Sequence, residues 1–439
     1  MTAKADEASV GSCWRPILSG TMAERALQAV DAIAESLTSL SPGEQDASLA
    51  GGQAGLALFY TWLARARRMP QADVLAWECL DQAIEAVSTD AMDASCHASF
   101  YEGFAGIAWA AELVDRLLDP DAEDRNEAVD DALLRLLSRA NLWPAPHDLV
   151  VGVTGLGVYA LERCPRPLAT ECLHRVVERL RESAQHDEHG FYWWTPPAGM
   201  LNREAQEQYP SGRADLGVAH GVTGAIAILG SICGVGVQRA TARPLLEGAV
   251  RWLLAHSVPT EAGPTFPIWV APGFQPAPAR CAWCYGDPGI AAALLVAARG
   301  VGAAGWEQAA VALACRAAER PAAETGVVDA SFCHGAAGLA HLYNRMYQAT
   351  GEPKLGRAAL YWLERTLDFY RLARGNGGSW VEGSKDPTEE GPWTGIDLVD
   401  GAAGVALVLL AATTPVEPVW DRMFLVSAPK PLLGTRDDG

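Results

Sequence analysis

The pattern G-x-x-G followed by an apolar run occurs seven times. It appears as GGQAGLALFY (Gly52, Gly55), EGFAGIAWAA (Gly103, Gly106), VGVTGLGVYAL (Gly152, Gly155) and HGVTGAIAIL (Gly221, Gly224). It returns as YGDPGIAAALL (Gly286, Gly289), HGAAGLAHLY (Gly335, Gly338) and DGAAGVALVLL (Gly401, Gly404). The first glycines are spaced by 51, 49, 69, 65, 49 and 66 residues. One copy would carry no information in a glycine- and alanine-rich chain. Seven, each opening a run of about ten apolar residues, mark a repeat architecture.

Amphipathic stretches lie between the copies, among them MAERALQAVDAIAESL, NEAVDDALLRLLSRA and KLGRAALYWLERTLDFY, with apolar residues at helical spacing. Each unit reads as one amphipathic helix followed by a glycine-started helix that is apolar nearly all round. A helix of the second kind must be buried. The expected fold is therefore all-α, an α/α toroid of seven inner helices wrapped by seven outer ones. Small residues at the inner-helix starts are expected to let backbones approach where the ring is tight. The expected organisation is an N-terminal segment over 1–20, a single toroid over 21–415 and a C-terminal tail over 416–439. The three long intervals hold Pro-, Gly- and Trp-rich loops over 187–217, 258–280 and 375–400. All three run into a glycine motif, so they gather at one face of the toroid, where long loops on a rigid scaffold line binding sites.

Net charge narrows the partners. At −19, with no Lys/Arg run, the chain is unsuited to nucleic acid, and a basic peptide or small molecule fits better. The N-terminus lacks the apolar stretch of a signal peptide, and no run has membrane-spanning length. A cytoplasmic location is expected, with at most peripheral association with a membrane-bound complex. In that compartment the ten cysteines are expected to be buried, metal-bound or catalytic rather than disulfide-linked.

The repeat also serves as a ruler. Cys284 lies two residues before Gly286 and Cys333 two before Gly335, while His334 and His220 each lie one before their glycine. Equivalent positions of neighbouring units in a ring are adjacent, so Cys284, Cys333 and His334 are expected to converge at the N-terminal ends of two inner helices. Two soft sulfurs and one imidazole suit zinc, and three protein ligands leave the open position of a catalytic site. Helix N-termini favour thiolates, which assists metal binding. Neither cysteine alone would distinguish itself from an ordinary buried one. The C-x-x-C spacing of RCAWCYGDPG is then incidental, and Cys281 is assigned no role.

His220 is the candidate acid or base beside this layer. Tyr285 follows Cys284 directly, and Arg280 precedes it by four. Asp148 and Asp397 each lie four before their glycine, an offset at which an acid can also act as a cap. Capping is the expected role of Asp397, while Asp400 and Glu102, at offset one, stay open. Cys96 and His97 lie too far from Gly103 to reach the metal layer. His186 and His189 are expected to be solvated, and His341 to be packed in the core.

These residues together resemble the LanC-type lanthipeptide cyclases: WCYG and CHG, the histidine of AHG, and seven glycine units from about 45 to 412. The resemblance implies an α/α toroid with one zinc held by Cys284, Cys333 and His334. It implies a dehydrated precursor peptide with a leader segment as substrate. It also implies His220 as the proton-handling histidine, with Arg280, Asp148 and Tyr285 as active-site neighbours. A full copy of the small domain inserted early in some family members is not expected, since the first two intervals are short. Without the dehydratase portion of bifunctional synthetases, a separate dehydratase is implied as partner, with a transporter as a further one.

The implied reaction adds a cysteine thiol to dehydroalanine or dehydrobutyrine and gives a thioether ring. Alternatives are a related enzyme that adds glutathione or another free thiol to dehydroamino acids, a prenyltransferase β-subunit, whose zinc set normally includes an aspartate, and a peptide-binding scaffold with a structural zinc.

Overall fold

Sterics explain why glycine recurs seven times. In the computed structural model, which describes residues 14–39, 46–88, 98–139, 147–200, 203–375 and 395–428, every motif begins a helix. A Cβ on the second glycine of any motif would lie 1.8–2.5 Å from the carbonyl oxygen six residues back, that of Leu49, Phe100, Leu149, Val218, Trp283, Phe332 or Leu398. The loop entering each inner helix therefore folds back over that helix's first turn, and only glycine admits the contact. The close approach is made inside each unit, and not only between neighbours as the ring-tightness argument expects. Contact between neighbouring inner helices is tightest further along, where a Cβ on Gly300 would lie 2.1 Å from the Gly230 carbonyl oxygen.

In chain order the helices are α1 (Gly20–Thr38), α2 (Gln53–Arg65), α3 (Ala72–Ser88), α4 (Phe104–Leu118), α5 (Glu127–Leu137), α6 (Val153–Arg163), α7 (Pro167–Ser183), the short α8 (Arg203–Gln208), α9 (Val222–Gly234), α10 (Arg239–Ala255), α11 (Asp287–Val301), α12 (Ala304–Glu319), α13 (Ala336–Thr350), α14 (Pro353–Gly375) and α15 (Ala402–Thr413). The glycine-started helices α2, α4, α6, α9, α11, α13 and α15 each pack on the next, and α15 packs on α2, closing a ring of seven. Their apolar faces are buried on all sides, as in α15, where residues 402–412 are buried throughout. The amphipathic helices form the outer layer. This is the all-α toroid that the repeat predicts.

The pairing runs opposite to the order read from the sequence. Most inner helices pack on the outer helix that follows them, as α2 does on α3, α6 on α7, α9 on α10, α11 on α12 and α13 on α14, while α4 packs on the α3 that precedes it. The first outer helix, α1, is left to cover the last inner helix, α15. The segment before α1 fastens this closure: Trp14 Nε1 donates to the Ala411 carbonyl at 2.8 Å, and the Ile17 and Leu18 amides donate to that of Ala412.

A belt of backbone hydrogen bonds joins the units at their entry loops. The residue two before the first glycine is Ala50, Tyr101, Val150, Ala219, Cys284, Cys333 or Val399. Ala50 N–H donates to Tyr101, Tyr101 to Val150, Leu149 to Ala219, Val218 to Cys284, Cys284 to Cys333, Cys333 to Val399, and Leu398 back to Ala50. Every acceptor is the carbonyl at this one offset, so these positions lie at one level around the ring.

The packed chain continues beyond the expected tail boundary at 416. A 3₁₀ segment, Val419–Phe424, fills the centre of the ring with Trp420 and Phe424 fully buried. Phe424 stacks on Phe332 at 3.9 Å between centroids and meets Trp283 edge-on at 4.8 Å. Burying a phenylalanine in this way contributes about 2 kcal/mol. Trp283 Nε1 and the Tyr101 hydroxyl donate to the carbonyls of Phe424 and Met423. Asp421, buried, accepts from Arg345 and pairs with His341 Nε2 at 2.7 Å. His341 is thus the core residue the sequence suggests.

Candidate active site

The metal layer follows from the belt. Cys284 and Cys333 occupy the same offset in adjacent units and are bonded to each other's level through the Cys284 amide and the Cys333 carbonyl, 3.3 Å apart. Their sulfurs and one imidazole nitrogen of His334 lie within 4.8 Å of one another. Among the described residues this is the one group of three or more His, Cys, Asp or Glu side chains arranged to hold a metal. Cys284 is held well below the ordinary thiol range by the hydrogen bond with Cys333, then by His334 and Arg280 acting against burial. The Cys333 thiol is pushed up by the same pairing and by burial. Two sulfurs beside an imidazole form a donor set that zinc fits.

A cavity of ≈ 1100 Å³ opens over this cluster, lined by residues from all seven entry loops. Arg280 reaches the cluster through Nη2, 3.9 Å from Cys284 Sγ. His220 stands in the neighbouring unit with Nδ1 2.9 Å from Asp148 Oδ2. A carboxylate only accepts, so Nδ1 carries a proton and Nε2 is left as the nitrogen that can exchange one. Burial works against protonation of His220, but Asp148, Asp215 and Cys284 outweigh it and raise its pKa above the ordinary value. Tyr285 lies alongside, its ring stacked near that of His220 at 6.4 Å between centroids. Burial lifts its hydroxyl far above the usual phenol range, so it stays protonated and available as a donor. Gly217 makes room for this arrangement, since a Cβ there would lie 2.5 Å from the Tyr285 ring.

Asp148 makes one contact within its entry loop and one to the candidate histidine, while α6 itself starts after Gly152 without a side-chain cap. Asp148 Oδ1 accepts the Val151 N–H at 2.8 Å while Oδ2 holds His220. Asp397, at the same offset, accepts the amides of Val399 and Asp400 within the entry loop, whereas α15 starts after Gly401 without a side-chain cap, so the helix-capping role expected of Asp397 is replaced by a loop contact. Glu102 and Asp400 both line the cavity. Burial raises Asp400 to about 6, with His334 drawing it back. His186 and His189 lie on the exposed hairpin of β1 (Gln185–His186) and β2 (Phe191–Tyr192), and Cys281 is buried with its thiol raised to about 11. Cys96 and His97 lie outside the described residues.

The long loops contribute a wall that the sequence reading missed. Strands β3 (Ala214–Asp215) and β4 (Trp269–Val270) pair antiparallel and join the loops that precede α9 and α11. Arg213 lies over Trp269 at 4.4 Å and Tyr209 at 5.1 Å, with Nε 3.1 Å from Asp215. Arg213, Ile268 and Trp269 line the cavity. Two-residue strands leave no periodic signal in the sequence, and nothing local ties the two loops together. The third loop lies largely outside the described residues.

The family model described as lanthionine synthetase C-like protein matches residues 43–425, and the chain belongs to that family. Among solved structures it is similar to nisin cyclase, with a TM-score of 0.70 over 92% of this chain and 97% of that one. Their sequences are 18% identical, so the likeness is one of fold. No curated protein gives a significant sequence match. Among the described residues, no helix is long and apolar enough to cross a membrane.

Proposed function

We propose that the protein is a zinc-dependent cyclase that adds cysteine thiols to dehydroalanine or dehydrobutyrine in a dehydrated precursor peptide, forming thioether rings. The observation that carries this reading is the Cys284–Cys333–His334 cluster at the floor of a large cavity, with Arg280, Tyr285 and the His220–Asp148 pair grouped around it. Cys284, Cys333 and His334 would hold the zinc, which supplies Lewis acidity that keeps a bound thiol deprotonated near neutral pH.

The protein's own groups account for the rest of the reaction. When sulfur bonds to the β-carbon, the C=C π pair moves toward the neighbouring carbonyl and leaves a negative oxygen. Arg280 and the Tyr285 hydroxyl are placed to stabilise that charge. His220, doubly protonated with Asp148 on Nδ1, donates from Nε2 to the α-carbon. The proton lost by the thiol equals the one gained at carbon, so the product has the mass of the substrate. A separate dehydratase would supply the unsaturated residues, and the Arg213–Trp269 wall would guide the peptide.

The test is incubation of the purified protein with a dehydrated, cysteine-containing precursor peptide. The expected result is loss of alkylatable thiol at constant mass, with about one zinc bound per chain. Cys284→Ala is expected to lose both the metal and the activity. Full thiol consumption by a metal-free protein would overturn the proposal, and a mass gain requiring added glutathione would favour transfer of a free thiol instead.

A further inference from the structure

The two ring nitrogens of His334 face two different carboxylates. Nδ1 lies 3.6 Å from Asp400 Oδ1, and Nε2 lies 3.4 Å from Asp329 Oδ2. Asp400 lines the cavity together with Cys284 and Cys333, whereas Asp329 does not. The cavity side of the imidazole is thus the Nδ1 side. Nε2 looks back into its own entry loop.

That loop is built to hold Asp329 in place. Asp329 stands six residues before Gly335, and its Oδ1 accepts the Ser331 N–H at 2.8 Å. The Ser331 hydroxyl in turn accepts the His334 N–H at 3.5 Å. Unit one repeats the same turn. Asp46, six before Gly52, accepts the Ser48 N–H at 2.7 Å through Oδ1, and the Ser48 hydroxyl accepts the Gly51 N–H at 3.1 Å. There the second oxygen, Oδ2, would sit 3.5 Å from a Cβ on Gly51, at the position His334 occupies in unit six. One D-x-S turn therefore occurs twice, once facing a glycine and once facing a candidate metal ligand. The turn needs only Oδ1. In unit six Oδ2 meets a ring nitrogen.

We propose that Asp329 is a positioning residue for the metal centre: through Oδ2 it accepts the Nε2 proton of His334, fixing the tautomer and the ring orientation that present Nδ1 to the metal. A metal-ligating histidine commonly donates its other ring N–H to a carboxylate, which orients the ring and raises its basicity. The inference rests on zinc binding at Cys284, Cys333 and His334, as read above.

The test compares Asp329→Asn with Asp46→Asn. Asparagine keeps the Oδ1 acceptor, so both variants retain the turn, and each replaces Oδ2 by an NH₂ donor. Zinc affinity is measured on the purified full chain by competition with a chelating dye, and thermal unfolding of the metal-free protein reports folding. Asp329→Asn is expected to bind zinc about 10- to 100-fold more weakly, with Asp46→Asn matching the wild type. With cobalt at saturation, the visible bands of Asp329→Asn are expected to shift, because the imidazole has lost its anchor. Equal zinc affinity and unchanged cobalt bands in Asp329→Asn would overturn the proposal, as would equal weakening in both variants. A wild-type chain that binds no zinc would instead overturn the metal reading on which it rests.

Discussion

Units one to three and units four to six share one backbone and differ in chemistry. At the belt position the first three carry Ala50, Tyr101 and Val150, while the next three carry Ala219, Cys284 and Cys333. One residue on, Gly51, Glu102 and Val151 are set against His220, Tyr285 and His334. The hydrogen bonds of the belt pass through both halves without a break. The belt is therefore indifferent to what the entry loops display, and the candidate site differs from the first half in its side chains at two offsets and in the longer loops that precede α9 and α11.

The largest effect that could break this comparison concerns the glycines. Gly338→Ala places a Cβ 1.8 Å from the Phe332 carbonyl oxygen, and Gly106→Ala does the same at 1.9 Å from Phe100. Each is expected to cost about 3 kcal/mol or more in denaturant unfolding. Comparable losses on the two sides would sustain the shared scaffold; a neutral Gly106→Ala would show that only the working half needs its tight entry loops.

Next comes Asp148, the one acid of units one to three assigned to the chemistry of the other half. Asp148→Asn keeps an acceptor for the Val151 N–H but removes the charge that raises the His220 pKa. The rate of ring closure is expected to fall about 10²-fold or more. Because His220 must be protonated to donate, losing Asp148 lowers its pKa, and the alkaline limb of the pH–rate profile is expected to move to lower pH. An unshifted limb would remove His220 from the proton-delivery step.

The smallest effect belongs to Asp397, which shares the offset of Asp148 but holds only loop amides and no histidine. Asp397→Ala is expected to cost about 1 kcal/mol of stability through the lost amide contacts, with the pH–rate profile unmoved. A shifted profile would show that the offset itself carries catalytic weight.

The toroid and the convergence of Cys284, Cys333 and His334 were legible because a steric rule repeats the glycines and a hydrogen-bonded belt turns sequence offset into spatial level. What stayed hidden depends on contacts with no sequence period. The 3₁₀ segment around Trp420 follows the last unit and looks like a tail until Phe332 and Trp283 are seen to enclose Phe424. The pairing of β3 with β4 joins two loops across a helical hairpin. The inner-to-outer pairing was ambiguous because an alternating series of helices can be grouped from either end. Asp329 left a usable trace, since D-x-S recurs six residues before the first glycine in units one and six.

The fastening of Trp14 to the Ala411 carbonyl spans 397 residues of chain. During synthesis α1 emerges first, yet the helix it covers is the last of the seven to be made. Its apolar stripe must wait, uncovered, until α15 has been added. Closure of the ring and full burial of α1 therefore come together, only once the last of the seven inner helices is in place.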